Sequence, residues 1–245
     1  MPAGKLSNEE LSRYRTEGFL VVPGLLSPRE ADDFVAYEAS QSPEWRSHLD
    51  NHKRDARWRA VATHPNMVGI ARQILDAHPG ILQTMFLEKL PGEAARGTAL
   101  HQDTHYLPNE PNTLMACWLA MSDTDSDNGG LCVLPGSHAH GLYDTHKATS
   151  MKDHQVWESE HLMRDRDGKE WKQVFYSFEI DGIDRSQMKF LPVPKGAGVF
   201  FSGMTIHGSY ANTSKDRIRR AFATHFVAAG TWVFRADVQD VMPVP

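Results

Sequence analysis

Two short stretches constrain this chain more than any other feature: His101-Gln102-Asp103 and, about a hundred residues later, His207-Gly208-Ser209. If the two imidazoles and the carboxylate serve one purpose, the fold has to bring distant segments into contact, which a barrel of antiparallel strands does readily. Side chains at i and i+2 of an extended chain point to the same side, so a strand over about 98–105 presents His101 and Asp103 together. Two imidazole nitrogens and one carboxylate oxygen can hold one face of an octahedral metal and leave the other open, an arrangement suited to Fe(II) and oxygen. A structural zinc site more often uses cysteine, and Cys117 and Cys132 are too few for a cysteine-rich one.

The hydrophobic pattern predicts helices first and strands afterwards. Ser7 with Glu10 forms a capping box for a helix to about Thr16, and Phe19 to Val22 reads as a strand closed by Pro23-Gly24. Ser27-Pro28-Arg29-Glu30 opens a second helix to about Ala39. Residues 41–60, rich in charge and holding Trp45 and Trp58, read as irregular. A further helix from Pro65 to about Ala77 carries Met67, Ile70, Ala71, Ile74 and Leu75 on one face. From Ile81 the period turns to two, with strands expected at 81–90, about 98–105, 113–122, 131–134, 198–202 and 218–229. The expected fold is mainly β: a double-stranded β-helix, or cupin-like jelly roll, with amino-terminal helices packed on the sheet. Asp127-Asn128-Gly129-Gly130 is a hairpin-turn signal with no chemistry of its own.

At 245 residues and 40% hydrophobic the chain suits one large core, so a single domain over 1–245 is expected. Residues 139–191 break the strand rhythm; charged and punctuated by Tyr143, Trp157, Trp171, Phe175, Tyr176 and Phe178, they read as a substrate-facing insertion, partly a lid. The 26 basic and 31 acidic residues give a net charge of −5, without a block of like charge, which argues against nucleic acid as a partner. No apolar run approaches the ~20 residues of a membrane helix. Met1-Pro2-Ala3-Gly4-Lys5 has no secretory pattern, and Val241-Met242-Pro243-Val244-Pro245 carries no peroxisomal tripeptide. A cytoplasmic protein is expected, with both cysteines as reduced, buried thiols.

The order of blocks is more specific than the ligand triplet alone. Tyr14, Gly18-Phe19 and Val21-Val22 are followed by His101-Gln102-Asp103-Thr104-His105-Tyr106, then by the apolar run Leu114 to Met121 with Trp118. Asp127-Asn128-Gly129-Gly130, Leu131-Cys132-Val133-Leu134-Pro135-Gly136-Ser137-His138, His207-Gly208-Ser209 and Arg219-Arg220-Ala221 complete the series. This series resembles the phytanoyl-CoA dioxygenase family of Fe(II)- and 2-oxoglutarate-dependent oxygenases, from about Leu11 through Phe226 and most weakly between about 141 and 190. The resemblance implies that His101, Asp103 and His207 are the iron ligands. It further implies that Arg219 holds the distal carboxylate of 2-oxoglutarate with Ser209 as hydroxyl partner, and that Trp118 and Met85 line the cosubstrate pocket. The implied reaction uses Fe(II), 2-oxoglutarate and O2 to hydroxylate a C–H bond of a small organic substrate, releasing succinate and CO2. A carboxylate at Asp103 disfavours halogenation, for which relatives carry a small residue there.

The His207-to-Arg219 spacing is one residue longer than the family pattern, so Thr213 to Asp216 has to absorb a residue and Arg217 becomes a rival anchor. A bidentate guanidinium in a dry pocket suits a dicarboxylate, and strand alternation puts Arg219 on one face with Ala221 and Ala223, small residues that leave room for a ligand. Arg217 falls in a polar turn, where a solvated charge is the common case. His105, taken on the same strand face as His101 and Asp103, is a candidate for the substrate cavity. Two other classes share parts of this pattern: a cupin-like metal enzyme that does not use 2-oxoglutarate, and a non-catalytic jelly-roll binding protein. No Gly-rich cradle or basic stripe suggests a dedicated coenzyme A site.

Overall fold

The computed structural model describes residues 4–92, 97–148 and 156–244. Its first third is helical because polar caps alternate with apolar stripes. Ser7 and Glu10 cap each other's backbone N–H groups at the start of α1 (Asn8–Glu17), and β1 (Phe19–Val22) follows. Ser27 and Glu30 repeat the device for α2 (Pro28–Ala39). The stretch 41–60, expected to be irregular, instead carries two short helices, α3 (Pro43–Ser47) and α4 (Ala56–Ala62). Their caps, Ser42 and Asp55, are of the same kind as those upstream, but each helix is too short for an apolar period to show. α5 (Pro65–Leu75) buries Met67, Val68, Ile70 and Ala71 and ends where Asp76 turns left-handed at φ 50°.

Beyond α5 the chain is mainly β. In order it forms β2 (Pro79–Lys89), β3 (Thr98–His101), the single turn α6 (Asp103–Tyr106), β4 (Asn109–Glu110), β5 (Met115–Ala120), β6 (Leu131–Val133) and β7 (Thr145–Lys147). There follow β8 (Glu158–Arg164), β9 (Glu170–Tyr176), β10 (Phe178–Ile180), β11 (Lys189–Phe190) and β12 (Gly198–Ser202). The last are β13 (His207–Ser209), β14 (Arg219–Ala228), β15 (Trp232–Val233) and β16 (Met242–Pro243). A six-stranded sheet, β1-β12-β5-β14-β2-β16, packs through its side chains on a four-stranded sheet, β11-β6-β13-β3, and the pairings within each are antiparallel. This is the expected double-stranded β-helix with amino-terminal helices on one face.

Strand alternation divides the large sheet cleanly. One face sends Cys117, Leu119, Phe200, Phe222 and Phe226 against the helices, where Phe222 meets the rings of Phe34 at 5.3 Å and Trp58 at 5.0 Å. Fully burying a side chain such as Phe222 contributes about 1.5–3 kcal/mol, so this face anchors the helices to the sheet. The other face sends Ala116, Trp118, Ala120, Ala221 and Ala223 inward with Leu131 and Val133 of the small sheet. Four alanines keep the side chains of this inner face small.

Two expectations need correction. The strand expected over 98–105 stops at His101, and Asp103 begins a helical turn. The Asp127–Gly130 turn is present, yet it is not a hairpin: β5 and β6 on either side lie in different sheets. The 139–191 segment carries strands of its own: β8 pairs with β9 and β7 with β10, while its residues 149–155 lie outside the described ones. Cys117 and Cys132 are buried free thiols, and no described helix is long and apolar enough to cross a membrane.

Candidate active site

His101 and His207 stand directly opposite each other on the paired strands β3 and β13, with ring centroids 4.3 Å apart. The close approach depends on Gly208, whose Cβ, if it had one, would lie 2.8 Å from the Thr98 carbonyl oxygen. Asp103 reaches the same point from the first residue of α6, not by strand alternation. Gln102, fully buried, fixes that turn by donating to the carbonyls of Gly141 and Met204 and accepting from the Tyr143 amide.

One ligand atom from each of His101, Asp103 and His207 falls within 4.8 Å of the others. Asp103 Oδ1 lies 3.4 Å from His101 Nε2 and 3.6 Å from His207 Nε2. Donors about 2.1 Å from one ion and at right angles to each other are about 3 Å apart, so a modest contraction would seat a metal. The tautomers agree. His101 Nδ1 donates to the Ala99 carbonyl at 2.8 Å and His207 Nδ1 to the Thr205 carbonyl at 3.0 Å, because a carbonyl can only accept. In the neutral rings both Nε2 atoms therefore present lone pairs toward a carboxylate oxygen, a buried arrangement that asks for a cation.

The electrostatics are those of a ligand set. Burial pushes His207 down to about 4, so its ring is neutral near pH 7. Burial opposes ionisation of Asp103, but the neighbouring imidazoles of His207, His225 and His101 outweigh this and hold the carboxyl well below 3.8. Burial likewise disfavours a charged His101, yet the Asp103 carboxylate beside it raises it overall.

Asp103 Oδ2 is occupied separately: His225 Nε2 donates to it at 3.1 Å from β14. This leaves Oδ1 as the oxygen that faces both histidines. The alternation Arg219, Ala221, Ala223, His225 puts this histidine on the inner face. His225→Leu is expected to weaken metal binding by about 10- to 100-fold, as loss of such an orienting partner typically does. Competition with a fluorescent chelator measures this, and unchanged affinity would remove His225 from the metal's support.

Arg219, 4% exposed, lies at the inner-face start of β14 and donates Nε–H to the Gly129 carbonyl at 3.2 Å. The turn predicted to carry no chemistry therefore supplies a backbone acceptor that aims this guanidinium. Arg219 Nη1 is buried without a partner among the described residues, and Cζ lies 5.7 Å from the Trp118 ring. Burial pushes Arg219 down to about 10, which leaves it charged at neutral pH. The rival Arg217 points outward, its side chain 44% exposed and paired with Asp125. The longer 212–217 connection is closed by Asn212, whose amide donates to the carbonyls of Lys89 and Arg217. Met85, Ala223 and Trp118 lie side by side across β2, β14 and β5. Ser209 is on β13, two residues beyond His207. His105 is on α6, contrary to its expected strand position, with its ring 5.2 Å from Phe178 and a buried, unpartnered Nε2.

Comparisons with known proteins follow this geometry. The family model for phytanoyl-CoA dioxygenase (PhyH) matches residues 14–221. Phytanoyl-CoA dioxygenase domain-containing protein 1 of Danio rerio is 28% identical, the alignment covering 95% of this chain and 94% of that protein. Peroxisomal phytanoyl-CoA dioxygenase of Rattus norvegicus is 32% identical, over 90% of this chain and 68% of the relative. Among solved structures, the non-heme alpha ketoglutarate dependent carbocyclase SnoK from nogalamycin biosynthesis superposes with a TM-score of 0.68 at 22% identity, covering 98% and 91% of the two chains. The epimerase SnoN, in complex with Fe3+, alpha ketoglutarate and nogalamycin RO, gives 0.69 at 21% identity, covering 93% and 85%. At these identities the two structures speak to the fold.

Proposed function

The chain belongs to the phytanoyl-CoA dioxygenase family, and on that premise we propose that His101, Asp103 and His207 hold its iron while Arg219 and Ser209 hold the far carboxylate of its cosubstrate. It is an Fe(II)- and 2-oxoglutarate-dependent oxygenase, with O2 as the second cosubstrate. The proposed reaction hydroxylates a C–H bond of a small organic molecule: substrate, O2 and 2-oxoglutarate give alcohol, succinate and CO2. The observation that carries the assignment is the meeting of three lone-pair donors from β3, α6 and β13 within 4.8 Å, with a buried cation, Arg219, on the inner face of the other sheet.

Bound iron supplies oxygen activation coupled to decarboxylation of the 2-oxo acid. The chain's own residues do the rest. The carbonyls of Ala99 and Thr205 keep both imidazoles in the ligating tautomer. Arg219 offers a preoriented fork to a carboxylate, and its unpartnered Nη1 is the donor left for it. Trp118 and Met85 flank Ala223 and shield the pocket from water, while Ala221 and Ala223 leave the space that a five-carbon dicarboxylate needs.

The 139–191 segment is proposed to face the substrate, within one oxygenase domain. In support, Tyr106 stacks on Phe178 at 4.9 Å and meets Trp157 at 5.2 Å, and the same tyrosine ring lies 5.6 Å from His101. An aromatic wall therefore runs from the segment to the ligand cluster. His105, with its free Nε2, is proposed to line this side. The cytoplasm is the proposed setting, which the two buried, unpaired thiols suit.

Anaerobic titration of 2-oxoglutarate into the Fe(II)-loaded protein tests the assignment. The expected result is a weak visible metal-to-ligand charge-transfer band, followed in air by succinate formation that rises with a true substrate. Iron binding without the band would point to the cupin-like enzyme that does not use 2-oxoglutarate, and no iron binding would overturn the ligand set.

A further inference from the structure

A second cation stands beside Arg219. Lys89 is the register partner of Arg219 across β2 and β14, so both side chains start from the same face of the sheet. The Lys89 ammonium donates to Ser209 Oγ at 2.7 Å and to the Tyr210 carbonyl at 2.5 Å. The path of its stem is shaped by Gly129: a Cβ there would lie 2.9 Å from Lys89 Cδ. The carbonyl of the same Gly129 accepts from Arg219, so one residue of the turn spaces both cations. Among the described residues neither Lys89 nor Arg219 forms an ion pair with a carboxylate. Two adjacent cations without a carboxylate partner, Arg219 buried and Lys89 partly so, are an anion site waiting for its charge.

We propose that Lys89 is a positioning residue for the cosubstrate's far carboxylate, acting through Ser209 and sharing with Arg219 the neutralisation of that charge. An ammonium has three donors and no acceptor, so Ser209 Oγ accepts from Lys89 and its own hydrogen is left to donate elsewhere. With the hydroxyl polarised in this way, Ser209 presents a donor to a carboxylate instead of choosing between roles. The inference rests on the reading of Arg219 and Ser209 as the 2-oxoglutarate end of the pocket.

Burial, and secondarily the charge on Arg219, push the Lys89 ammonium down to about 7. The other groups facing it are Cys132 on β6, raised to about 11 by burial, and Tyr210 beyond β13, also raised by burial. Neither titrates between pH 7 and 9, nor does Arg219. A bound carboxylate favours the charged lysine, so affinity for 2-oxoglutarate is expected to be flat below about pH 7 and to fall as the pH rises above it.

The test compares wild type, Lys89→Met and Lys89→Arg by calorimetric titration of the Fe(II)-loaded, anaerobic proteins with two ligands. These are 2-oxoglutarate and 2-oxopentanoate, which has a methyl group in place of the far carboxylate. Lys89→Met is expected to bind 2-oxoglutarate about 10- to 100-fold more weakly, the range for a lost charge-assisted hydrogen bond, and to bind 2-oxopentanoate within about 3-fold of wild type. Its alkaline limb should vanish, and Lys89→Arg should restore much of the affinity without the limb. Equal losses for both ligands would assign Lys89 a purely structural role and overturn the inference, as would an unchanged Lys89→Met. Failure of wild type itself to prefer 2-oxoglutarate would instead overturn the underlying reading of the pocket.

Discussion

Asp103→Ala is expected to weaken Fe(II) binding by well over about 100-fold and to reduce succinate formation to the background seen without enzyme. Partners that merely orient a ligand are worth about 10- to 100-fold in metal affinity, and Asp103 is the only anionic donor of the three. The two histidines that remain would present neutral nitrogens, with no charge to offset that of a dication in a buried site. The loss has a second part. His225 Nε2 would be left buried without its 3.1 Å acceptor, a penalty of about 1–3 kcal/mol to the fold. Asp103→Asn separates the two parts, since the amide keeps the shape and an acceptor oxygen but not the charge. Its thermal stability should stay near wild type while its metal binding falls nearly as far as that of the alanine variant. Chelator competition and a melting curve on both variants provide the measurement. Metal-dependent succinate formation in Asp103→Ala at more than about a tenth of wild type would mean that iron is held elsewhere.

Parts of this site lie on the surface of the sequence, and others depend on contacts that no local pattern encodes. The alternation from Arg219 through Ala221 and Ala223 is a period of two in a long strand, and the inner face it predicts is the one observed. The capping boxes at Ser7 and Ser27 are equally local, since each is complete within four residues. Asp103 is different. It shares a site with His101 as the spacing suggested, but by a turn of helix that begins after β3, and a four-residue helix has no period to read. The hairpin signal at Asp127–Gly130 described the turn's backbone correctly, whereas the sheet to which the next strand belongs is set by β13 and β11, far along the chain. Lys89 was passed over for a related reason. At the end of β2 it looks like an ordinary solvated charge, and its partner Ser209 is 120 residues away. His225 carried a usable signal, because the period that placed Arg219 also placed it. The extra residue before Arg219 likewise resolved itself only in three dimensions, where Asn212 ties off the loop and turns Arg217 toward Asp125.

The contrast between those two arginines gives a large, discriminating effect. Arg219→Ala should weaken 2-oxoglutarate binding by roughly 2–5 kcal/mol, the range for removing one member of a buried, hydrogen-bonded charge pair, whereas Arg217→Ala should leave it within about 2-fold of wild type. The asymmetry follows from solvent. Arg217 is 44% exposed and already paired with Asp125, an interaction that water screens. Arg219 is 4% exposed, with one N–H satisfied by Gly129 and Nη1 by nothing among the described residues. A desolvated guanidinium without an anion is a cost carried by the ligand-free fold, and an arriving carboxylate relieves it, so binding should be tight and should stabilise the protein. Arg219→Ala removes both the cost and its relief. The ligand-free variant is therefore expected to melt close to wild type, while the upward shift in Tm that 2-oxoglutarate gives wild type should disappear. Loss of 2-oxoglutarate affinity in Arg217→Ala together with retention in Arg219→Ala would move the anchor to the surface loop. It would also leave the buried cation beside Trp118 without a partner, a state that the packing of this sheet gives no reason to maintain.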